Sequence, residues 1–121
     1  MLLNFTNHHS SNWSGEQKKE AEKQYGSIED LAFPEILPEY TDKEVETLAT
    51  KYMETIEQMN PEAVLCQGEF TFVYQIVCLL KERGIKAVAA TSRRCVKEVF
   101  DQERNETVKQ SCFKFVSFRA Y

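Results

Sequence analysis

Apolar residues of this chain fall either in short continuous runs or at helical spacing, and the two patterns alternate. The runs 2–5, 63–66 and 85–90 have the length and composition of strands that are buried in a parallel sheet. A further run, 28–33, stops at a proline, as strands commonly do. Between these runs, apolar residues recur every three or four positions over 45–59 and 72–80, which predicts amphipathic helices.

Polar and glycine residues mark where the predicted helices begin and end. Ser14 with Gln17, and Thr41 with Glu44, have the spacing of a capping box, so helices are predicted from about residue 15 and from residue 42. The helices are predicted to end at Gly26, at Asn60-Pro61 and at Gly84.

The last quarter of the chain is typical of antiparallel strands. Residues 96–100 and 107–118 have a strand pattern and are joined by the polar segment "DQERNE". The predicted order is therefore βαβαβαβββ in one domain over residues 1–121. Alternating strands and helices predict an α/β, Rossmann-like, mainly parallel sheet flanked by helices, with a C-terminal antiparallel hairpin.

Composition limits the classes of function. The chain has 121 residues and a net charge of −4, which disfavours binding to long nucleic acid. No apolar run is long enough to span a bilayer and no secretory signal precedes the first strand, so we expect a cytoplasmic protein without membrane contact. The four cysteines have neither disulfide nor zinc spacing, so they are interpreted as reduced thiols.

Polar side chains collect where three predicted parallel strands end. Because the carboxyl ends of parallel strands lie at one edge of the sheet, that edge is the expected ligand site. Hydroxyl, amide and guanidinium groups in such a set suit a phosphorylated ligand. The candidate binding residues are Asn7, His9, Ser10, Ser11, Gln67, Gly68, Thr91, Ser92 and Arg93.

Each candidate also has a structural interpretation. The Asn and Ser residues of the first loop can simply shape a turn, and Arg93 can form a salt bridge. Glu69 either caps the third helix or acts on the ligand, with Gly68 allowing tight packing. Trp13 either packs at the start of the first helix or stacks on a base.

The adjacent pair His8-His9 leaves several roles open. Adjacent histidines point in different directions and no carboxylate or thiol lies nearby in sequence, which disfavours a metal site. One histidine can act as a general acid or base, or both can be exposed loop residues. The sequence lacks GxGxxG, GxxxxGK[ST] and GxSxG, which disfavours a conventional dinucleotide oxidoreductase, a P-loop NTPase and an α/β-hydrolase.

Several short segments resemble, in order and spacing, a family of small stand-alone accessory proteins of type III CRISPR systems. They are "NFTNH" at the start, "YG" at 25, "FP" at 33, "QGEF" at 67, "AATS" at 89 and "FKFVSFRAY" at the end. The resemblance implies a Rossmann-like sheet related to the CARF sensor domain. It also implies a homodimer that binds a cyclic oligoadenylate across its two-fold axis, with cyclic tetra-adenylate as the expected ring and no cofactor.

Some relatives in that family are ring nucleases, which linearise the messenger without a metal by placing a ribose 2′-OH in line with its own phosphate. The resemblance implies that His8 and Glu69 are the catalytic candidates, with Asn7 and Gln67 beside the ligand. Thr91, Ser92 and Arg93 would then surround a phosphate. The chain has His9 where the family pattern is expected to have a proline.

Three functions follow as alternatives. The first is a homodimeric ring nuclease that damps type III signalling. The second is a protein that binds the same messenger without cleaving it, which is favoured by the lack of a clear acid/base pair. The third is an interaction protein whose polar loop residues only satisfy turns.

Overall fold

The computed structural model describes all 121 residues. A five-stranded sheet lies at the centre of the protein. The first four strands along the chain are parallel where they pair, and the last is antiparallel to its neighbour. The strands are β1 (Leu2–Phe5), β2 (Ile28–Asp30), β3 (Ala63–Cys66), β4 (Lys86–Asp101) and β5 (Glu106–Ala120), in the spatial order β2-β1-β3-β4-β5. The predicted fold class, an α/β protein with a mainly parallel sheet and a C-terminal antiparallel pair, is confirmed.

Three helices cover the two faces of the sheet: α1 (Gly15–Tyr25), α2 (Asp42–Met59) and α3 (Phe70–Glu82). Successive residues of a strand point to opposite faces, so Leu2 packs in a cluster with Ala21 of α1, whereas Leu3 packs in the larger cluster formed with α2 and α3. None of the three helices combines the length and hydrophobicity that crossing a membrane requires.

The helix ends agree with the capping residues of the sequence. The Ser14 hydroxyl accepts a hydrogen bond from the backbone N–H of Gln17, and Thr41 and Glu44 form a complete capping box. Gly26 ends α1 at a φ of 85°, a conformation that glycine adopts without the cost of a Cβ atom.

Two predictions about the elements are wrong. One is the strand expected over 28–33, which ends at Asp30. Residues 85–90 and 96–100 were expected to be separate strands, but both belong to the single strand β4, and the order is βαβαβαββ. Strand β5 pairs with β4 from Val88 to Asp101 and so supplies backbone partners to the polar segment 91–94. A β-bulge between Thr91 and Ser92 interrupts the regular pairing within this segment.

The last residue anchors the end of β5. The backbone N–H of Tyr121 donates to the Ala87 carbonyl at 3.0 Å, and its hydroxyl donates to the Cys66 carbonyl at 2.6 Å. The C-terminal strand is thereby attached to both β4 and β3.

Burial makes one cysteine different from the other three. Desolvation raises the pKa of the Cys66 thiol to about 12, whereas Cys78, Cys95 and Cys112 are partly exposed. Only a thiolate reacts readily with an alkylating agent. We therefore expect iodoacetamide to label three cysteines of the folded protein and Cys66 only after denaturation, as measured by mass spectrometry of the peptides. Labelling of Cys66 at the rate of the others would contradict this packing.

Candidate functional site

A cavity of about 490 Å³ opens at the carboxyl ends of β1 and β3. Strand β2 lies on one side of β1, and β3 lies on the other side. The direction in which successive strands are added to the sheet therefore reverses between β1 and β3. Ligands of open α/β sheets bind in the crevice at such a reversal. The volume lies within the range of small-molecule sites.

Hydroxyl and amide side chains form one part of the cavity wall, and aromatic rings form another. The lining residues are Thr6, Asn7, His8, Asn12, Trp13, Ser14, Gln17, Leu65, Gln67, Gly68, Ala90, Ser92, Phe113 and Phe115. His8 supplies the only imidazole among them, and none of the lining residues is Asp, Glu, Lys or Arg. Ligand binding in this cavity would therefore depend on neutral hydrogen bonds and stacking.

The structure brings together only part of the predicted site. Five predicted residues line the cavity: Asn7, His8, Gln67, Gly68 and Ser92. The other predicted residues do not line it: His9, Ser10, Ser11, Glu69, Thr91 and Arg93.

Asn4, a polar residue inside the apolar run of β1, holds the first loop of the site. Its side chain is 1% exposed, and its Nδ2 donates to the His8 carbonyl at 2.8 Å and to Asp30 Oδ1 at 2.7 Å. Its Oδ1 accepts a hydrogen bond from the hydroxyl of Thr6 at 2.9 Å. A buried amide with all these partners fixes the backbone that follows β1.

Asp30, the last residue of β2, is the second anchor of the same loop. Besides Asn4, its carboxylate accepts hydrogen bonds from the backbone N–H of Ser10 at 2.9 Å and from the Ser10 hydroxyl at 2.6 Å. Burial alone would raise the pKa of Asp30. These hydrogen bonds and the charge of His9 outweigh burial and hold the pKa below its ordinary value, so the carboxylate is ionised at neutral pH.

The two histidines have different roles in the loop. The Ser11 N–H donates to Nδ1 of His9, which places the proton of the neutral ring on Nε2, 3.3 Å from Oδ2 of Asp30. The ring of His9 is thus engaged within the loop. His8 is held by its backbone, since its N–H donates to Thr6 Oγ1 and its carbonyl accepts from Asn4, but its ring makes no hydrogen bond. Of the pair, only His8 offers its imidazole to a ligand.

Gln67 joins the cavity wall to the sheet. Its Oε1 accepts a hydrogen bond from the Ala90 backbone N–H at 3.0 Å, beyond the last residue pair of β3 and β4. The side chain therefore takes the place of a backbone acceptor. Its amide NH₂ group donates to no group of the protein and is available at the cavity.

Glu69 is the N-cap of α3. Its carboxylate accepts hydrogen bonds from the backbone N–H groups of Thr71 at 3.0 Å and Phe72 at 2.9 Å. The hydrogen bond from the Thr71 hydroxyl lowers the pKa of Glu69 most. Burial acts in the opposite direction, and the two backbone hydrogen bonds lower the pKa further. Glu69 lines a different cavity, beside α2 and α3, and so does not share a pocket with His8.

Two further predicted residues lie in the bulged region of β4. The hydroxyl of Thr91 bonds across the strands to the carbonyl and the hydroxyl of Ser117, at 3.1 and 2.8 Å. Arg93 follows the cavity-lining Ser92 and therefore points to the opposite face of the sheet, where it is exposed.

The aromatic wall of the cavity continues into the hydrophobic core. The ring centroids of Trp13 and Phe118 are 6.4 Å apart, and those of Phe115 and Phe118 are 4.9 Å apart. Trp13 therefore packs against β5 and also lines the cavity, where part of its ring is free to stack.

Sequence reasoning missed the residues that support the site. Asn4 had a recognisable signal, because a polar residue within a buried apolar strand needs a partner and is the more informative exception. The contribution of Asp30, Phe113 and Phe115 carried no local signal, since it depends on which strands become neighbours. No group of three or more His, Cys, Asp and Glu side chains is arranged to hold a metal ion.

Comparison with known proteins gives a family but no activity. No curated protein and no solved structure matches the chain. A family model matches residues 1–119, nearly the whole length, and the chain therefore belongs to the family described as the uncharacterized protein MJ1673 family.

Proposed function

We propose that this protein binds a cyclic oligoadenylate in the cavity between the ends of β1 and β3 and cleaves it to linear products. The ligand class comes from the resemblance to the accessory proteins of type III CRISPR systems. The observation that carries the proposal is the state of His8. Its backbone is fixed by Asn4 and Thr6, while its imidazole makes no hydrogen bond and lines the cavity.

The proposed cleavage needs orientation and proton transfer. A ribose 2′-oxygen attacks the adjacent phosphorus, the bond from phosphorus to the 5′-oxygen breaks, and a 2′,3′-cyclic phosphate and a 5′-hydroxyl result. The proton of the 2′-OH leaves to a base and the 5′-oxygen gains a proton. Neutral His8 can accept the first proton, or protonated His8 can supply the second. Holding the reacting atoms in line supplies much of the remaining acceleration.

The cavity wall suits the two parts of a nucleotide. Aromatic rings such as Trp13 and Phe115 can stack on adenine. Hydroxyl and amide donors, including the NH₂ group of Gln67, can bind ribose and phosphate oxygens. A cyclic tetra-adenylate contains four nucleotides and exceeds one such cavity, so the proposal includes a homodimer with two cavities. It also includes a cytoplasmic location, where an intracellular messenger is found.

A second candidate function is binding of the same messenger without cleavage. It is favoured by one observation: His8 is the only acid or base candidate on the cavity wall, because Glu69 lines another cavity. A single acid or base gives less assistance than a pair. Such a protein would sequester the messenger.

The deciding experiment is incubation of the purified protein with cyclic tri-, tetra- and hexa-adenylate in the presence of EDTA, followed by chromatography and a native gel shift. We expect linear products from cyclic tetra-adenylate. Because an acid or base contributes about 10²–10⁴-fold, His8→Ala should lower the cleavage rate by that factor with little change in affinity. Arg93→Ala is the matched control, since Arg93 lies on the opposite face of β4.

Each other outcome has a defined meaning. A gel shift without products identifies the second candidate function. Cleavage by His8→Ala at the wild-type rate removes His8 from the mechanism. A protein that neither shifts nor cleaves any of the three rings refutes the proposal and leaves the interaction protein as the remaining alternative.

A further inference from the structure

Strands β4 and β5 continue far beyond the rest of the sheet. Pairing of β4 with β3 ends at Val88, whereas pairing of β4 with β5 continues to Asp101. Residues 91–101 and 106–117, with the turn 102–105 that joins them, therefore form a two-stranded extension, here called the ribbon. An isolated two-stranded hairpin is marginally stable in water. Packing of another protein surface against the ribbon would therefore stabilise it.

One face of the ribbon has exposed apolar side chains and is continuous with the cavity. Alternate residues share a face, so Val96 and Phe100 lie on the same side as the cavity-lining Ser92. Phe113 pairs with Arg94 on that side. Val96 is 57% exposed, Phe100 56% and Phe113 73%. Exposed apolar residues clustered in this way mark an interaction site.

Charge on the ribbon is divided along its length. The tip, residues 101–106, has three acidic side chains and one basic one. In the part nearer the body, 92–100 and 107–115, the face of Phe113 has two basic side chains, Arg94 and Lys109, and one acidic one, Glu98. Two ribbons placed antiparallel would bring the acidic tip of each onto the basic part of the other. The surface is therefore complementary to itself, which is the requirement for a two-fold interface.

We propose that two copies of this chain associate through their ribbons, packed antiparallel across a two-fold axis on the face of Phe113, Val96 and Phe100. The partner's ribbon buries the apolar residues that water otherwise surrounds, and the charge pattern fixes the direction of the pairing.

The pairing also changes the cavity. Phe113 and Phe115 line it at the end of the ribbon nearest the body, and the antiparallel arrangement places the partner's tip, with its copy of Phe100, over that end. Each copy would then complete the aromatic wall of the other. This consequence for ligand binding rests on the proposed function, whereas the association of the two chains does not.

Sedimentation velocity of the ligand-free protein tests the association. We expect wild type to sediment with twice the mass of the chain, and Phe113→Glu and Phe100→Glu to sediment as single chains. Val99→Glu is the matched control: it adds the same charge to the same ribbon on the other face, and the variant should stay dimeric. Circular dichroism of each variant separates loss of association from loss of folding.

Charge reversal tests the direction of the pairing and does not depend on removing an apolar side chain. Glu103→Arg and Arg94→Glu should each weaken the dimer by about tenfold or more, the equivalent of 1.4 kcal/mol. The double variant restores opposite charges between tip and body and should recover most of the affinity. Recovery of this kind cannot result from misfolding.

Several results would overturn the proposal, and they differ from failure of the proposed function. A monomeric wild type at all concentrations, or a dimer that survives both Phe113→Glu and Phe100→Glu, excludes the ribbon as the interface. A monomer that still binds cyclic tetra-adenylate refutes the ribbon dimer and the homodimer, but leaves the proposed ligand and its cleavage standing. A dimer that dissociates as expected but binds no oligoadenylate refutes only the proposed function.

Discussion

Asp30→Ala is expected to lower the free energy of unfolding by about 1.5–3 kcal/mol, the range for hydrogen bonds to a charged group. The substitution removes the acceptor of Asn4 Nδ2 and of both Ser10 donors, and it leaves a buried amide N–H without its partner. Residues 7–12 would lose their attachment to β2. Urea unfolding gives the stability change, and hydrogen exchange of residues 7–12 reports the loop. We also expect oligoadenylate binding to be lost, because the cavity wall contains that loop.

The dependence of this effect on pH is a separate check. The folded-state pKa of Asp30 lies below its ordinary value of 3.8, so ionised Asp30 stabilises the folded protein fully above pH 3.8. This stabilisation is lost as pH falls through the lower, folded-state value. The stability difference between wild type and Asp30→Ala should therefore be largest near neutral pH and shrink in acid. Glu29→Ala, an exposed neighbour in β2, should show neither effect; a difference independent of pH would contradict the role of the charge.

Gly68→Ala is expected to destabilise the protein by about 1–3 kcal/mol, the usual cost of adding a methyl group to a packed site. A Cβ atom at residue 68 would lie 2.7 Å from Cε1 and 2.8 Å from Cε2 of Phe33, and closer still to Cζ. The Phe33 ring packs against Phe5 and Phe72, with centroids 5.1 and 5.4 Å apart, so it cannot move without disturbing the aromatic cluster. Chemical denaturation measures the change.

Gly15→Ala is the matched control, because a Cβ atom there meets nothing within 4 Å. It should leave stability almost unchanged. Combining Gly68→Ala with Phe33→Leu should show a coupling that offsets part of the loss, since the smaller side chain makes room for the methyl group. A Gly68→Ala protein as stable as wild type would mean that the loop accommodates the methyl group without involving Phe33.

The two predictions concern the same short part of the chain. Asp30 and Phe33 lie at and just after the end of β2, outside the cavity, yet one holds the loop after β1 and the other packs against the loop after β3. The cavity is therefore supported from the edge strand of the sheet. This explains why substitutions of residues that never touch a ligand are expected to have large effects.

The sequence alone determined the elements whose causes are local. The period of the apolar residues predicted α2 and α3, and side chains such as Thr41 and Glu44 predicted where a helix begins. Alternation of strands and helices was enough to predict a mainly parallel sheet, because a helix between two strands is the usual crossover connection of parallel strands. That sheet in turn predicted the edge at which Asn7, His8 and Gln67 meet.

Only the tertiary structure decided which polar residues are free to bind. His8 and His9 are neighbours with the same chemistry, but His9 is engaged by Asp30, twenty-one residues away in the chain, and His8 is not. Glu69 caps α3. Arg93 points to the far face, because β4 continues through residues 91–95 and pairs there with β5. The spacing of apolar residues depends on the local geometry of one helix or strand, so it can be recognised in the sequence. Side chains such as His9 and Asp30 belong to different elements. Their hydrogen bonds can be recognised only when the fold has placed those elements side by side.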